Sequence, residues 1–246
     1  MELAALTLAP GLALGSFLNV LVARVPLRRS IVHPGSACDS CGHELSWFEN
    51  VPVLSYVALR GRCRSCGTKI PIHHPLVEAV TAILIAGAAW KFGLTWDFAI
   101  ASVFLAALVT VSATDLERRI IPNRVVVPAA VAVLVGNTIV HPSVEWVIAG
   151  VAASGFLLVA ALAYPGGMGM GDVKLAALLG FMLGWSVSVA LLLGFIAALV
   201  PSIVLMVRHG REARKMAIPL GPFLALGGVV ALFAGGSVLH WYLGAA

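Results

Sequence analysis

Residues 186–207 read Ser-Val-Ser-Val-Ala-Leu-Leu-Leu-Gly-Phe-Ile-Ala-Ala-Leu-Val-Pro-Ser-Ile-Val-Leu-Met-Val, a stretch without a single charged side chain. An apolar run of about 20 residues is long enough to cross the hydrocarbon core of a bilayer as one α-helix. The chain therefore is predicted to be an all-α integral membrane protein with about eight spans. The other predicted spans, of which the sixth is short and rich in glycine, lie at roughly 4–23, 76–92, 98–114, 125–141, 145–163, 173–184 and 219–241.

The overall composition supports lipid as the main solvent. Of the 246 residues, 60% are hydrophobic and 11% are charged, whereas a soluble domain carries about 25% charged residues. The net charge is +5, but the basic residues cluster in segments 24–69, 118–124 and 208–215, as expected for cytoplasmic loops. No basic patch is interleaved with exposed aromatic residues, so nucleic-acid binding is excluded. An even number of spans is expected to leave both termini outside the cytoplasm.

The charge pattern also divides the chain into three predicted parts. The first span, within residues 1–24, lacks basic residues before its apolar run and is followed by Arg24, Arg28 and Arg29. It is therefore interpreted as a retained helix rather than a signal peptide. A polar insert at 25–75 is predicted to form a small cytoplasmic subdomain. Residues 76–246 then form the multi-span domain.

Four cysteines in the insert form two C-x-x-C pairs, Cys38 with Cys41 and Cys63 with Cys66, and a glycine follows each pair. Two such pairs supply the four thiolates of a closed tetrahedral site, which indicates structural zinc. Two disulfides are one alternative, which the predicted reducing cytosol disfavours. Free or redox-active thiols are the other.

Two aspartates, Asp115 and Asp172, lie where predicted spans meet the same membrane face. Ionisable residues at such positions are functional candidates because burial of charge is costly. Two adjacent carboxyl groups cannot easily both ionise, so one holds a proton while the other activates water, as in aspartic proteases. Gly169 and Gly171 are expected to let backbone approach a bound substrate and to permit unusual dihedral angles.

Each aspartate also has a simpler interpretation. Asp115 would be an interfacial charge at a helix end that pairs with Arg118 or Arg119. Asp172 would cap the helix that follows it.

Several motifs occur together over nearly the whole chain. They are Gly15-Ser16-Phe17-Leu18-Asn19-Val20, the stretch Trp47-Phe48-Glu49-Asn50-Val51-Pro52 between the cysteine pairs, residues 115–122, residues 169–174, and Ile218-Pro219-Leu220-Gly221-Pro222. In this combination and order the chain resembles the prepilin peptidases, or type IV leader peptidases, which are GxGD-type intramembrane aspartyl proteases.

The resemblance implies an activity and a location. The expected enzyme is an aspartyl endopeptidase that removes the basic leader of type IV prepilins and pseudopilins at the cytoplasmic face of the bacterial inner membrane. The resemblance assigns catalysis to Asp115 and Asp172. It also implies N-methylation of the new amino terminus with S-adenosylmethionine. Candidates for that second site are Trp47, Glu49, Asn50 and Tyr56, although a packed surface of the insert explains them equally well.

Recognition of the substrate needs more than bulk charge, because both the leader and the cytosolic loops are basic. The substrate's apolar helix is expected to lie against the spans, with Glu78 or Glu117 contributing locally. Lys174 is placed on the substrate side of the site with the two glycines. A loop cation is the alternative partner for Glu78. Two other functions stay open, namely a peptidase without methylase activity and a transporter or channel with a zinc-stabilised loop.

Overall fold

The computed structural model describes residues 2–164, 168–210 and 218–243, with side chains as far as residue 238. Within these ranges the regular structure is helical, apart from two isolated β-bridges in the insert. The described residues form nine α-helices, which are α1 (Glu2–Arg24), α2 (Leu54–Ala58), α3 (His73–Phe92), α4 (Trp96–Arg118), α5 (Asn123–Val140), α6 (Glu145–Ala163), α7 (Met170–Leu183), α8 (Val187–His209) and α9 (Gly221–Leu243). The predicted all-α class is confirmed.

Seven helical stretches of the described chain are long and apolar enough to cross a membrane. One of them, residues 170–209, contains both α7 and α8, which a short 3-10 helix at Gly184–Ser186 separates. The helix α7 has 14 residues and is therefore about 21 Å long, shorter than a hydrocarbon core of about 30 Å. The prediction of a short sixth span agrees with this helix.

Two helix ends differ from the sequence prediction in a way that concerns the aspartates. The helix α4 continues four residues beyond the predicted end at 114, and α7 begins three residues before the predicted start at 173. Leu, Glu and Arg follow Asp115 and favour continued helix, so hydropathy alone ended the prediction too early. Asp115 and Asp172 consequently lie inside helices rather than in loops.

The chain divides into two compact units, Met1–Thr110 and Val111–Ala246. In the first unit, α1 packs along α3. The contact is close because a Cβ on Gly15 would lie 2.6 Å from the Cα of Glu78. Small residues are what allow two helices to approach in a lipid environment, where no hydrophobic effect drives them together.

In the second unit, α7 is the central helix. It packs on α5 and α6 and also contacts α8 and α9. Its side chains Leu175, Leu178 and Leu179 are fully buried. A helix that is apolar on all sides and surrounded by other helices does not need to match the thickness of the bilayer, because protein rather than lipid surrounds it.

The C-terminal end of α7 is held by neighbouring helices. Gly180 approaches α6 so closely that a Cβ there would lie 2.5 Å from the Cα of Gly150. The side-chain amide of Asn137 on α5 donates a hydrogen bond of 2.8 Å to the carbonyl oxygen of Phe181. Carbonyl groups in the last turn of a helix lack partners within that helix, and Asn137, which is itself buried, supplies one.

We predict that Asn137→Leu lowers the free energy of unfolding by about 1 kcal/mol, because the Phe181 carbonyl loses its donor inside the bundle. Reversible unfolding of the purified protein by SDS titration in mixed micelles measures this difference. The control is Thr138→Val, since the Thr138 hydroxyl donates to the Leu134 carbonyl of its own helix and the residue is exposed. Equal losses in both variants would contradict a specific role for Asn137.

Candidate functional site

Asp115 lies in the last turn of α4 and is only 6% exposed. Its Oδ2 accepts a hydrogen bond of 2.9 Å from the backbone N–H of Gly221, the first residue of α9. A Cβ on Gly221 would lie 2.8 Å from the same oxygen. Only glycine therefore allows this N–H to reach the carboxyl group without displacing it.

Asp172 is the third residue of α7 and is 9% exposed. Its Oδ2 accepts a hydrogen bond of 3.2 Å from the N–H of Gly169, the residue that precedes the helix. Gly169 is the N-cap of α7, so Asp172 does not occupy the capping position itself but accepts the N–H of the capping residue, which holds the carboxyl group in one place. Gly169 has φ −81° and ψ 146°, which any residue adopts, and the expected unusual dihedral is not present.

The two carboxyl groups belong to the same unit and lie near enough for their charges to interact. Asp115 also interacts electrostatically with Arg119. Among the described residues, however, no basic side chain lies within ion-pair distance of either aspartate. The arrangement is two neighbouring buried carboxyl groups, each with one neutral hydrogen-bond donor from a glycine.

The loop between α4 and α5 packs on the first turn of α7. A Cβ on Gly171 would lie 2.7 Å from the Cβ of Ile121, so the space beside this glycine is filled by the chain itself. The Nζ of Lys174 donates a hydrogen bond of 2.9 Å to Oδ1 of Asn123 at the start of α5. Both contacts fix the position of α7, and therefore of the carboxyl group it carries.

Two residues of this site were given no role from the sequence, Gly221 and Asn123. Both lie in or beside motifs that carry the family resemblance, which is the one signal that points to them. The glycines at 166 and 167 and the basic residues at 211–215 lie outside the described residues.

Glu78 belongs to the first unit and is buried on α3. Its Oε2 accepts a hydrogen bond of 2.8 Å from the N–H of Val53, and its Oε1 lies 3.5 Å from the amide nitrogen of Asn19. These hydrogen-bond partners are neutral groups rather than a basic side chain of a loop. Glu78 joins the insert to the helix pair α1 and α3.

The four cysteines lie together in the insert. All four Sγ atoms are within 4.8 Å of one another, with 3.8 Å between Cys38 and Cys66 and 4.0 Å between Cys41 and Cys63. A tetrahedral metal with metal–sulfur bonds of about 2.3 Å separates its sulfur ligands by about 3.8 Å. A disulfide needs about 2.05 Å, so the disulfide alternative is wrong. The cluster fits a tetrahedral metal ion.

The two C-x-x-C pairs have the same backbone geometry. The N–H of Gly42 donates to the carbonyl of Cys38, and the N–H of Gly67 donates to the carbonyl of Cys63, each at 2.9 Å. The glycines have φ of +71° and +70°, a region that side chains disfavour. These turns direct both thiols of each pair toward the common centre.

The candidate methylase residues occupy different environments. Glu49 is buried, and its Oε2 accepts a hydrogen bond of 2.9 Å from the N–H of Ser46 and lies 3.2 Å from Nε2 of His43. The Ser46 N–H, together with His43, keeps the pKa of Glu49 below its ordinary value despite burial. Its observed contacts are therefore structural. The others are Trp47 and Asn50, exposed on a 3-10 helix, and half-buried Tyr56 in α2.

The chain is similar to known proteins over most of its length. Residues 10–92 match the family described as Bacterial Peptidase A24 N-terminal domain, and residues 102–207 match the Type IV leader peptidase family. The chain is 36% identical over 239 residues to the prepilin leader peptidase/N-methyltransferase of Bacillus subtilis, covering 95% of both chains. It is 34% identical over 270 residues to the protein of the same name from Pseudomonas aeruginosa, covering 96% of this chain and 92% of the relative. No solved structure matches.

Membrane-length apolar helices throughout the described residues define the class of all-α integral membrane proteins. Within that class, the chain belongs to the type IV leader peptidase family. The match to full-length relatives includes the cysteine insert, both aspartate segments and the start of α9. The transporter or channel interpretation has no support in these comparisons.

We predict that the purified protein carries one tetrahedrally bound metal ion per chain, because four clustered thiols form a closed site. Cys63→Ser is expected to lose this ion and to unfold the insert, which elemental analysis and limited proteolysis measure. Ser65→Ala, between the ligands of the second pair, is the control and is expected to retain the ion. A wild-type protein without bound metal would contradict the prediction.

Proposed function

We propose that this protein is an inner-membrane prepilin peptidase whose catalytic pair is Asp115 and Asp172. The observation that carries the proposal is the approach of two buried carboxyl groups, from the end of α4 and the start of α7, in one unit of the fold. The names of the full-length relatives and the family membership support the reaction and the substrate class.

The chemistry is hydrolysis of one peptide bond. One carboxyl group is ionised and takes a proton from water as the water oxygen attacks the scissile carbonyl carbon. The other carboxyl group is protonated and hydrogen-bonds to the carbonyl oxygen. A proton then passes to the amide nitrogen as the carbon–nitrogen bond breaks, which yields a leader with a new carboxyl terminus and a mature protein with a free amino terminus. The pair titrates as a unit, so neither role belongs to one residue in advance.

The glycine N–H groups position the pair for this reaction. Each satisfies one oxygen of its carboxyl group, and we assign the second oxygen of each to water and to the scissile peptide. A donor fixed by the backbone does not reorganise during the reaction, which is the condition for effective electrostatic stabilisation.

Substrate selection rests on two kinds of contact. The apolar helix of a prepilin would lie against the lipid-facing spans, and its basic leader would meet acidic side chains near the aspartates. Glu117, exposed on α4 two residues after Asp115, is the residue we propose for this contact. The carboxyl group of Glu78 already accepts hydrogen bonds from Val53 and Asn19, so we assign Glu78 to support of the insert rather than to the leader. Gly169 and Lys174 act through the position of α7.

The second activity is methylation of the new amino terminus, which the names of the relatives include. S-adenosylmethionine, when bound, supplies the methyl group. Exposed Trp47 offers an aromatic face and exposed Asn50 an amide, which fit a nucleoside ligand, and Tyr56 lies in the adjacent helix α2. Glu49 fits such a role less well because the insert already uses its carboxyl group. The mass of the mature substrate's amino terminus separates a bifunctional enzyme from a peptidase alone.

The metal of the insert is zinc in this proposal, held by Cys38, Cys41, Cys63 and Cys66. Four thiolates leave no open position, so the ion supplies folding energy rather than catalysis. The insert and the aspartate pair would face the cytosol, because the basic segments of the sequence follow the positive-inside pattern and free thiols persist in a reducing compartment.

We predict that Asp115→Asn and Asp172→Asn each lower the rate of prepilin cleavage by at least about 100-fold, because neither variant retains an exchangeable pair of carboxyl groups. Gel-shift analysis of prepilin in proteoliposomes measures the rate. Asp97→Asn is the matched control, since Asp97 lies in the first turn of the same helix as Asp115. Cleavage at the wild-type rate by either test variant would rule out the assigned pair.

We also predict that Gly221→Ala lowers kcat by about 10- to 100-fold with little change in KM. The new methyl group would lie 2.8 Å from Oδ2 of Asp115 and would displace the carboxyl group. Gly236→Ala is the control in the same helix, because a Cβ there meets nothing within 4 Å. Similar kinetics for both alanine variants would show that the Gly221 contact does not position Asp115.

A further inference from the structure

The short helix α2 of the insert exposes its aliphatic side chains and partly buries its polar ones, the opposite of a helix on the surface of a soluble domain. Leu54 and Val57, three residues apart on one face, are 65% and 67% exposed. Ser55 and Tyr56 are half-buried, and the Tyr56 hydroxyl lies 3.5 Å from the carbonyl oxygen of Ile70 as its donor. The polar side chains are thus turned inward, and the aliphatic ones are turned outward.

A hydrogen bond holds α2 beside a membrane-length helix. The N–H of Val53, just before α2, donates to Oε2 of Glu78 at 2.8 Å. Glu78 is the sixth residue of α3, about 7.5 Å along its axis. The amino-terminal end of α2 therefore lies next to the first two turns of a helix that is long and apolar enough to span a bilayer.

The same end of α3 has a stripe of exposed aliphatic residues. They recur every three or four residues, so they lie along one face, and each is more than one-third exposed. An exposed aliphatic row of this kind is typical of a lipid-facing helix. The residues are Ile72, Leu76, Val80 and Ile83. The outward face of α2 thus belongs to a unit that has an exposed apolar stripe beginning at the end of α3 where α2 is attached.

Arginines lie on both sides of α2 in the chain. Arg60, Arg62 and Arg64 follow α2 and are exposed, and Arg28 and Arg29 follow α1 and are also exposed. Basic residues at a membrane surface contribute about 1 kcal/mol each when the lipid is anionic. Aliphatic residues on one face with arginines nearby are the combination found in interfacial helices.

We propose that α2 lies in the membrane interface, with Leu54 and Val57 inserted at the acyl boundary and Arg60, Arg62 and Arg64 at anionic headgroups. The insert is thereby a peripheral binding surface for anionic phospholipid. A prepilin leader is a poorer occupant, because its basic residues would meet these arginines. The proposal stands independently of the proposed peptidase function, since it concerns lipid contact alone.

The test uses the full chain in nanodiscs and two single variants, Leu54→Trp and Val57→Trp. Because the chain has six native tryptophans, the signal is the difference between each variant and the parent protein. Phospholipids brominated near the headgroup end of the acyl chain quench a tryptophan that inserts at that depth. Glu44→Trp is the control at an exposed polar position of the same insert. Retained metal content shows that each variant is folded.

We expect at least a two-fold drop in the added fluorescence of Leu54→Trp and Val57→Trp in brominated phosphatidylglycerol discs, and little change for Glu44→Trp. The drop is expected to be smaller in brominated phosphatidylcholine discs at the same salt concentration. Absent quenching in both metal-bound variants would overturn the proposal. So would quenching equal to that of Glu44→Trp, or quenching that depends on added prepilin.

Hydrogen exchange of the wild-type protein provides a second measurement that needs no substitution. Backbone amides in residues 54–58 are expected to exchange several-fold more slowly in phosphatidylglycerol discs than in phosphatidylcholine discs. The amides of residues 39–44 serve as the internal reference. Identical exchange in both lipids would overturn the role of anionic headgroups.

Discussion

A carboxyl group inside an apolar helical bundle needs hydrogen-bond donors, and in this protein two helix starts supply them. The N–H groups at the beginning of a helix have no partner within that helix, and they carry the positive end of its dipole. Gly221 at the start of α9 donates to Asp115, and Gly169 at the start of α7 donates to Asp172. The starts of two helices thus each donate a hydrogen bond to one member of the pair. Contacts of the neighbouring helices keep these helix starts in position.

Polar groups at both ends of α7 also need hydrogen-bond partners where water is absent, and these partners fix the position of the helix. This helix is too short to cross a bilayer alone, and other helices of its unit surround it. Asn137 supplies a donor at its carboxyl end, and Lys174 ties its first turn to Asn123. Two polar contacts, one at each end, hold the helix along its axis. The Asp172 carboxyl group on this helix keeps its place although the surrounding packing is aliphatic and non-directional.

The insert has two separate sources of order. Its cysteine cluster is organised locally by two turns of the same geometry. Its attachment to the membrane helices depends on Glu78, which accepts the N–H of Val53. Val53 has φ +59°, an unfavourable region for a β-branched residue that costs about 1–3 kcal/mol. The hydrogen bond of 2.8 Å to Oε2 of Glu78 offsets part of this strain and gives the buried glutamate a donor inside a membrane-length helix.

The sequence by itself determined the helical class, the membrane-length apolar runs and the pairing of the cysteines, and it predicted the two aspartates as the catalytic pair. Lipid requires long apolar runs, and a C-x-x-C pair brings its two thiols together within four residues, so both signals are local. Only the tertiary structure decided that Asp115 and Asp172 lie inside helices. It alone decided that Gly221, 106 residues from Asp115, is the donor, and that α2 turns Leu54 and Val57 outward. Hydropathy does not record long-range hydrogen bonds, and five residues are too few for helical periodicity to reveal which face is buried.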